Sequence, residues 1–572
     1  MTRAVSMKEV FEDTGMFSMV SVDPWGSPLE RREAVDYCDR LSGRIIDGLS
    51  EAIEVYSGIP LSEKGWRLLL RPTVSLLVMS AYHHYLSITK AVEGGYAPIF
   101  LDMSIIPLAV PETTAALQVY LFGDDFHKQL LVELAPIAGW SATSAATAEA
   151  QPGIAPASDH IATRRHSITD IATAWLKRGL KDLVRRLSRG SECYLYNINL
   201  SFAEIIQLLV RSGFRIAYLP LTNLAQVEWP SPDLEWRQSS CQALLRRLGG
   251  LNSFEAAVCR VVTTALPICL AEGLPQLKQA VECYFPVQPK TIASGMAWVA
   301  DDAFKLWSAQ ASDRGARLVS AQHGGGYGMR QCPPLSERVE HDVADQFLGW
   351  ARHDAESRHI VKLPVPPHFY HKQRTSTTRQ LLLYVGTAEA RYPCQIQSVP
   401  MGAMMLEYLG RQADFLAGLI PELRRHCLVR PNPSDLGWRG EARVKRQVPW
   451  VIFDDFSRTY LERLREARLV VIDNLNTTFL QSMASGVPTI LVWDPEVWSL
   501  NDGVQEDFAR LEDVGVYFHD PVQAAKKVAG VWQDPLGWWA TDPVAAAVND
   551  FLDKYFNRGC NWSRSWVAAL TQ

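Results

Sequence analysis

The chain has 572 residues, a net charge of −5, 47% hydrophobic residues and 21% charged residues. This composition excludes a largely disordered chain, and the length is sufficient for two or more domains with substantial cores. The acidic balance gives no electrostatic basis for binding nucleic acid, so we expect no such partner. The ten cysteines form no Cys-x-x-Cys pair and no Cys/His cluster at zinc spacing, which predicts a reducing, cytoplasmic location without a structural metal.

The start of the chain shows no targeting signal. Residues Met1 to Ser18 include Glu9 and have no continuous apolar core, which argues against a signal peptide or an anchor. The most apolar stretch, Pro98 to Phe122, is interrupted by Asp102 and Glu112, so we expect no membrane span. Contact with the inner membrane is expected to be peripheral at most.

The first hundred residues are predicted to be mostly helical. From Leu29 to Tyr56, apolar residues recur every four positions, as they do in an amphipathic helix. A second helix is predicted over Val74 to Val92. Residues Ser141 to Ser158 are rich in Ala, Ser, Thr, Pro and Gly, which predicts a surface loop.

Strands and helices then alternate, which favours an α/β fold with parallel sheets covered by helices. We assign residues 1–360 to an N-terminal α/β domain with helical additions. The prolines between Leu363 and Ser376 predict a linker. A second Rossmann-like domain is assigned to residues 377–544. The predicted strands and helices of both halves are Cys193–Ile198, Phe202–Ser212, Phe214–Leu219, Thr291–Ser294, Asp301–Ala311, Ala316–Val319, Gln380–Val385, Met405–Leu419, Cys427–Arg430, Tyr460–Ala467 and Leu469–Ile472.

A glycine-rich loop, Gln322-His323-Gly324-Gly325-Gly326-Tyr327-Gly328, follows the strand Ala316–Val319. Glycines at this density adopt backbone conformations closed to other residues and let main-chain N–H groups approach an anion. Its place after a strand is where α/β proteins bind ligands. The loop is not a phosphate-binding loop of the Walker type, because no Gly-Lys-Ser/Thr follows. A tight turn with a core-facing histidine is the structural alternative.

Acidic residues follow this loop. In a helix that starts near Ser336, residues Glu337, Glu340 and His341 share one face. Two crowded carboxyl groups and an imidazole can perform general acid–base chemistry, because crowding separates the two carboxyl pKa values. A solvated acidic first turn, which suits the helix dipole, is the alternative interpretation.

A second informative segment runs from Asp473 to Pro488. A buried strand ends at Asp473, and Asn476 is the predicted N-cap of a short helix closed by Gly486. The hydroxyls of Thr477 and Thr478 would lie in its first turn, where free N–H groups and the helix dipole favour a phosphate. An ordinary helix start is the alternative.

Two Rossmann-like halves with a Thr-Thr-x-x-Gln-x-x-Ala-x-Gly-x-Pro segment in the second resemble GT-B glycosyltransferases. The loop from Gln322 to Gly328, with the acidic residues behind it, is similar to bacterial cell-surface polysaccharide biosynthesis transferases that carry a Gln-His-Gly-Gly-x-Tyr-Gly motif. This resemblance covers most of Thr291 to the C-terminus. It implies two domains that face a cleft, with a C-terminal helix over residues 545–572 that returns to the N-terminal domain. The GT-B family usually has Glu where this chain has Gln481.

The resemblance also implies a mechanism. A nucleotide-sugar donor would lie in the cleft, and a glycan or lipid-linked acceptor would bind on the side of the first domain. His323 would stabilise the leaving phosphate or a sugar carboxylate, and Glu337 or Glu340 would deprotonate the acceptor. No metal or other cofactor is expected, because the helix dipole and basic side chains neutralise charge. The implied donor-binding residues are Gln322, Gly324, Gly325, Gly326, Tyr327, Arg430, Asn476, Thr477, Thr478 and Gln481.

Two other functions stay open at this point. A sugar-nucleotide epimerase or hydrolase of GT-B-like shape would use the same cleft without an acceptor. A non-catalytic scaffold in polysaccharide assembly would need no acid–base residues. Resemblance to transferases from gene clusters for acidic nine-carbon sugars suggests a CMP-activated donor.

Overall fold

A computed structural model describes residues 23–95, 109–139, 190–351, 359–371 and 379–572. The predicted loop Ser141–Ser158 and the start of the chain, Met1 to Ser18, lie outside the described residues. The helices before and within the first domain are α1 Pro28–Ser57, α2 Glu63–Glu93, α3 Thr114–Tyr120, α4 Asp124–Leu134, α5 Phe202–Arg211, α6 Leu234–Leu248, α7 Ser253–Ala265, α8 Leu274–Tyr284, α9 Ala297–Ala300, α10 Asp302–Asp313 and α11 Leu335–Val343.

Long helices form the N-terminal layer, as the four-residue periodicity predicted. The side chain of Ser27 caps α1 by accepting from the Glu30 N–H, and Gly58 ends the helix at a φ of 67°. Helix α2 begins at Glu63, eleven residues before the predicted start at Val74, and Pro72 lies within it. Proline usually ends or kinks a helix, so the sequence alone placed the start too late.

The first sheet has six parallel strands in the order β2-β1-β3-β4-β5-β6. Strands β1 and β3 are buried along their whole length, which is what helices on both faces of a parallel sheet produce. The chain adds β2 on one side of β1 and β3 on the other, so the direction of sheet growth reverses between β1 and β3. The strands are β1 Cys193–Tyr196, β2 Ile216–Leu219, β3 Thr291–Ser294, β4 Arg317–Ala321, β5 Gln346–Gly349 and β6 Ile360–Lys362.

The second sheet has five parallel strands in the order β11-β10-β9-β7-β8. Its growth reverses between β7 and β9, which creates the switch point where open α/β sheets bind ligands. The strands are β7 Leu381–Val385, β8 Cys427–Arg430, β9 Ala467–Ile472, β10 Thr489–Val492 and β11 Tyr517–Phe518. The helices are α12 Met404–Ala417, α13 Pro421–Arg424, α14 Gly440–Gln447, α15 Tyr460–Glu466, α16 Thr477–Ala484, α17 Asp502–Asp513, α18 Pro521–Val531, α19 Pro535–Trp539, α20 Asp542–Tyr555 and α21 Trp562–Leu570.

Two parallel sheets with helical cover confirm the predicted α/β class with two Rossmann-like halves. The predicted linker Leu363–Ser376 needs correction in its first part, because Leu363, Val365 and Phe369 are buried. The Val365 N–H donates to the Asn557 carbonyl at 2.9 Å. This stretch therefore packs against the C-terminal segment. Residues 372–378 lie outside the described residues.

The predicted returning helix over residues 545–572 consists of two helices with different partners. Helix α20 packs against α16 and α17 of the second domain, and α21 packs against α5 of the first. The Trp566 indole donates to the Pro364 carbonyl at 2.9 Å, and Arg317 donates to the Ala569 carbonyl at 3.0 Å. Helix α21 packs on the first domain, and α20 meets it where Lys362 of β6 donates to the Asp553 carbonyl at 2.6 Å. Among the helices of the described residues, none combines the length and apolarity needed to cross a bilayer.

Replacing Trp566 with Ala should destabilise the protein by about 3–5 kcal/mol, because a fully buried indole leaves a cavity and an unpaired Pro364 carbonyl. Denaturant unfolding followed by circular dichroism measures the change. Val210→Ala on α5 is the control, since that side chain is 61% exposed and should change stability by less than about 0.5 kcal/mol. Equal stability of wild type and Trp566→Ala would show that α21 does not support the first domain.

Candidate functional site

The loop after β4 and the loop after β9 meet between the two sheets. The Gly325 N–H donates to the Thr477 hydroxyl at 2.8 Å. A Cβ atom on Gly325 would lie 2.8 Å from the Thr477 Cα, and one on Gly326 would lie 2.6 Å from the Leu475 carbonyl oxygen. No other residue fits at these two positions without displacing backbone. The glycines therefore allow the first domain to touch the N-terminus of α16 directly.

Gln322 and Tyr327 hold this loop from inside. The Gln322 side chain donates to the Gly324 carbonyl at 2.8 Å and accepts from the Trp350 N–H at 2.7 Å. Both residues are buried, and the Tyr327 hydroxyl donates to Glu340 at 2.9 Å. Their polar atoms are thus engaged within the chain. The structure places them as supports of the loop, in contrast to the predicted contact with the donor.

Glu337 and Glu340 lie on one face of α11, as the spacing predicted, but that face is buried beneath the loop. Glu337 accepts from the Gly328 N–H at 2.7 Å, and both side chains are at most 4% exposed. Burial raises the pKa of Glu337 to about 7, and the Gly328 hydrogen bond opposes the shift. Burial, with the nearby Glu337 carboxyl, also raises the pKa of Glu340 well above its usual range.

The predicted role of Glu337 or Glu340 as the base that touches the acceptor therefore needs correction. A general base must come within hydrogen-bond distance of the proton that it removes, and neither carboxyl group reaches the surface. They are connected to the cleft through the loop: Glu340 through Tyr327, and Glu337 through the Gly328 backbone.

His323 is the titratable residue of the motif that stays accessible, with 23% of its side chain exposed. Its Nδ1 lies 3.0 Å from the Tyr327 hydroxyl oxygen, and Asn199 donates to its backbone carbonyl at 2.8 Å. Burial lowers the pKa of His323 to about 4, although a backbone hydrogen bond with Gly295 opposes the shift. The ring is therefore neutral at pH 7. A neutral ring can accept a proton, and the predicted role of His323 in stabilising the leaving phosphate or a sugar carboxylate stays a prediction.

Helix α16 starts with its N-cap side chain turned away. Asn476 makes no side-chain cap hydrogen bond, because its Oδ1 accepts from Arg330 at 2.7 Å. The Thr478 Oγ1 atom is buried and has no hydrogen-bond partner within the described residues. Tyr460 donates to the Thr478 carbonyl at 2.9 Å and fixes the first turn. The structure thus leaves the N-terminus of α16 without a side-chain cap, an arrangement that favours an anion, and the phosphate contact of Thr477 and Thr478 stays a prediction.

Arg430 is engaged elsewhere. Its guanidinium forms an ion pair with Asp454 and donates to the Arg458 carbonyl at 3.1 Å, and its predicted contact with the donor stays a prediction. Gln481 lies one turn further along α16 and is half-buried.

Three residues of this site were missed from the sequence: Arg330, Asn199 and Asn501. Arg330 also donates to the Leu475 carbonyl at 2.8 Å, and Asn501 donates to the Gly328 carbonyl at 3.0 Å. Asn199 stands in Asn197-Ile198-Asn199 at the end of β1, a pattern that marks a strand end without revealing its neighbour. Within the described ranges, no cluster of three or more His, Cys, Asp or Glu residues could hold a metal ion.

A family model described as LIC12162 family transferase matches residues 6–570. The chain belongs to this transferase family. No curated protein matches it. Among solved structures, this LIC12162 family member is similar to WaaG, a glycosyltransferase involved in lipopolysaccharide biosynthesis, at 10% identity and a TM-score of 0.30 over 66% of this chain and 99% of that chain.

Two further solved structures are similar to this transferase. MurG of Acinetobacter baumannii is 11% identical with a TM-score of 0.33, covering 66% of this chain and 98% of that chain. Spinosyn rhamnosyltransferase SpnG, complexed with spinosyn aglycone, is 11% identical with a TM-score of 0.30, covering 67% and 100%. TM-scores this low carry no argument, so the fold is assigned from the strand order of the two sheets.

The raised pKa of Glu337 predicts how stability changes with pH. The carboxyl ionises near 4.5 when solvated and near 7 in the fold, so between these values the folded state binds more protons and stability falls as pH rises. Glu337→Gln keeps an oxygen for the Gly328 N–H but cannot ionise. Wild type should therefore lose on the order of 2–3 kcal/mol relative to this variant between pH 4.5 and 7.5.

Chemical unfolding at a series of pH values measures this difference. Glu235→Gln on α6 is the matched control, because Glu235 is exposed and its removal should leave the pH profile unchanged. Parallel profiles for wild type and Glu337→Gln would show that Glu337 ionises normally in the fold.

Proposed function

We propose that this transferase moves a sugar from a nucleotide-activated donor to a glycan or lipid-linked acceptor in cell-surface polysaccharide biosynthesis. The observation that supports this best is the contact between Gly325 and Thr477. It brings the carboxyl edge of the first sheet against the switch point of the second, in a chain that belongs to a transferase family. Ligands of parallel sheets bind at such edges.

The donor's phosphate is proposed to bind beside the first turn of α16. Uncapped N–H groups and the helix dipole favour an anion there, and the Thr478 hydroxyl, which is buried in the same turn without a partner among the described residues, is proposed to turn toward the phosphate and donate to it. Thr477 is proposed to donate its O–H to the phosphate while its oxygen accepts from the Gly325 N–H, because a hydroxyl can do both at once. The nucleoside would extend from this point over the β7–β9 switch point, past Thr387, whose hydroxyl lies 3.4 Å from Asn476 Nδ2.

His323 is proposed as the proton acceptor. The acceptor hydroxyl would lose its proton to the neutral imidazole while its oxygen bonds to the anomeric carbon of the donor. The bond from that carbon to the phosphate oxygen breaks, and the phosphate leaves with the electron pair and stays at α16. The protonated ring then donates to the Tyr327 oxygen, and the Tyr327 hydroxyl donates in turn to Glu340 at 2.9 Å.

We extend the proposal to a CMP-activated acidic nine-carbon sugar as donor, which is supported by the family resemblance of the loop from Gln322 to Gly328. We also propose that the protein works in the cytoplasm without a metal ion, because the helix dipole neutralises the leaving phosphate. Activity should then persist in the presence of a chelator such as EDTA.

Nucleotide binding tests the phosphate site. Isothermal calorimetry with CMP, UDP, GDP and dTDP should identify one nucleotide that binds wild type. Thr478→Val should weaken it by about 1.5–3 kcal/mol, because a hydrogen bond to a charged group is lost while shape is kept. Thr541→Val at the start of α20 is the control and should bind normally. Equal affinity of Thr478→Val and wild type would move the phosphate elsewhere.

Removal of His323 tests the chemistry. His323→Ala should lower kcat by roughly 10²–10⁴-fold while nucleotide affinity changes little, because the group acts on the acceptor proton. The assay follows sugar transfer to glycan and lipid-linked acceptors, with donor-only reactions in parallel. Epimerised or hydrolysed donor without transfer would favour the epimerase or hydrolase. Full biological function of His323→Ala in a cell would favour the scaffold.

A further inference from the structure

The first turn of α16 has an unusual N-terminus. Asn476 is an N-cap by position, with extended backbone at φ −103° and ψ −167°. Asparagine is among the preferred N-caps, because its oxygen accepts from the N–H of the second or third helical residue. Here that oxygen accepts instead from Arg330 Nη2, and the amide nitrogen lies 3.4 Å from the Thr387 hydroxyl. The carboxamide is thus held away from its own helix.

Arg330 is built into the junction between the domains. It is 6% exposed, and the same Nη2 donates to the Leu475 carbonyl at 2.8 Å. The guanidinium lies over the Trp498 ring, 5.6 Å from its centroid, and the Arg330 backbone forms an antiparallel bridge with Leu500. These contacts fix the side chain at the start of α16. Its Nε atom is buried without a hydrogen-bond partner among the described residues.

This placement costs free energy unless an anion is present. A cation at the N-terminus of a helix meets the positive end of the helix dipole, and burial adds a desolvation cost. Two carboxyl groups, Glu337 and Glu389, attract the Arg330 charge, but burial raises the pKa of each to about 7. At neutral pH they offset the charge of Arg330 only in part. The arrangement favours a bound anion at this point.

We propose that Arg330 is a positioning residue: by holding the Asn476 carboxamide, it keeps the N-terminus of α16 uncapped and open for the donor's phosphate. This inference depends on the proposed function, because it assumes a phosphate at α16. It differs from a direct ionic contact, since the effect of Arg330 passes through a second side chain. Without Arg330, the Asn476 oxygen would turn to its own helix and compete with the phosphate for the same N–H groups.

A double-mutant cycle separates these roles. Affinity is measured by calorimetry for Arg330→Gln, Asn476→Ala and the double variant, using whichever of CMP, UDP, GDP and dTDP binds wild type. Arg330→Gln alone should weaken binding by 10- to 100-fold. In the Asn476→Ala background no side chain remains to cap the helix, so the same substitution should cost at least ten times less in affinity. An equal loss in both backgrounds would overturn the proposal.

A second readout needs no nucleotide. Hydrogen exchange of the Thr478 and Phe479 amides should slow in Arg330→Gln, because the Asn476 oxygen then accepts from the first turn. The slowing should disappear when Asn476→Ala is added. Unchanged exchange in Arg330→Gln would also overturn the inference. If wild type binds none of the four nucleotides, the proposed function fails, and the exchange result still tests whether Arg330 controls the cap.

Two controls address folding. Arg237→Gln removes another buried arginine, which pairs with Glu272 at 2.7 Å in the helical layer; it should lower stability without changing nucleotide affinity or exchange at α16. Arg330→Lys keeps the charge but lacks the planar fork. It should give an intermediate loss of affinity and serves as the test variant if Arg330→Gln does not fold.

Discussion

The close approach between the glycine loop and the N-terminus of α16 is the constraint on which the site depends. Backbone contacts backbone here, because a Cβ atom at Gly325 or Gly326 would lie less than 3 Å from α16 or its preceding loop. This contact fixes the position of the carboxyl edge of the first sheet against the carboxyl edge of the second. At this junction the Thr477 hydroxyl oxygen accepts from the Gly325 N–H, and the first N–H groups of α16 receive no side-chain cap from Asn476.

The burial of charged groups explains which side chains support the loop and which stay exposed at this junction. The carboxyl groups of Glu337 and Glu340 lie behind the loop, where they accept from a backbone N–H and from Tyr327. Burial at that position disfavours the ionised form of each carboxyl group, which raises both pKa values. On the cleft side, burial lowers the pKa of His323 to about 4, so the ring is uncharged at pH 7, and 23% of its side chain stays exposed. Acidic groups therefore support the loop from within, and His323, the proposed proton acceptor, keeps part of its ring exposed. Arg330 places its guanidinium at the N-terminus of α16 in the second domain.

Much of this architecture follows from sequence pattern. Strands β3 and β8 have the predicted bounds, because short apolar runs flanked by turn residues specify buried parallel strands. Helix α2 was predicted too short, because Pro72, a residue type that usually ends or kinks a helix, lies inside it. At the site, the motif and the Thr-Thr helix were identified, but the burial of Glu337 and the engagement of Arg430 with Asp454 depend on residues distant in sequence. No local pattern encodes such contacts, and Arg330 was missed for the same reason.

The central claim is that one ligand touches both walls of this junction. Hydrogen–deuterium exchange with and without the bound nucleotide tests it most directly, because amides from both domains are read in one experiment. The account predicts slower exchange in two segments together, 322–328 and 475–480, with little change in the helical layer of α6 to α8. Protection confined to one domain, or to neither segment, would contradict it.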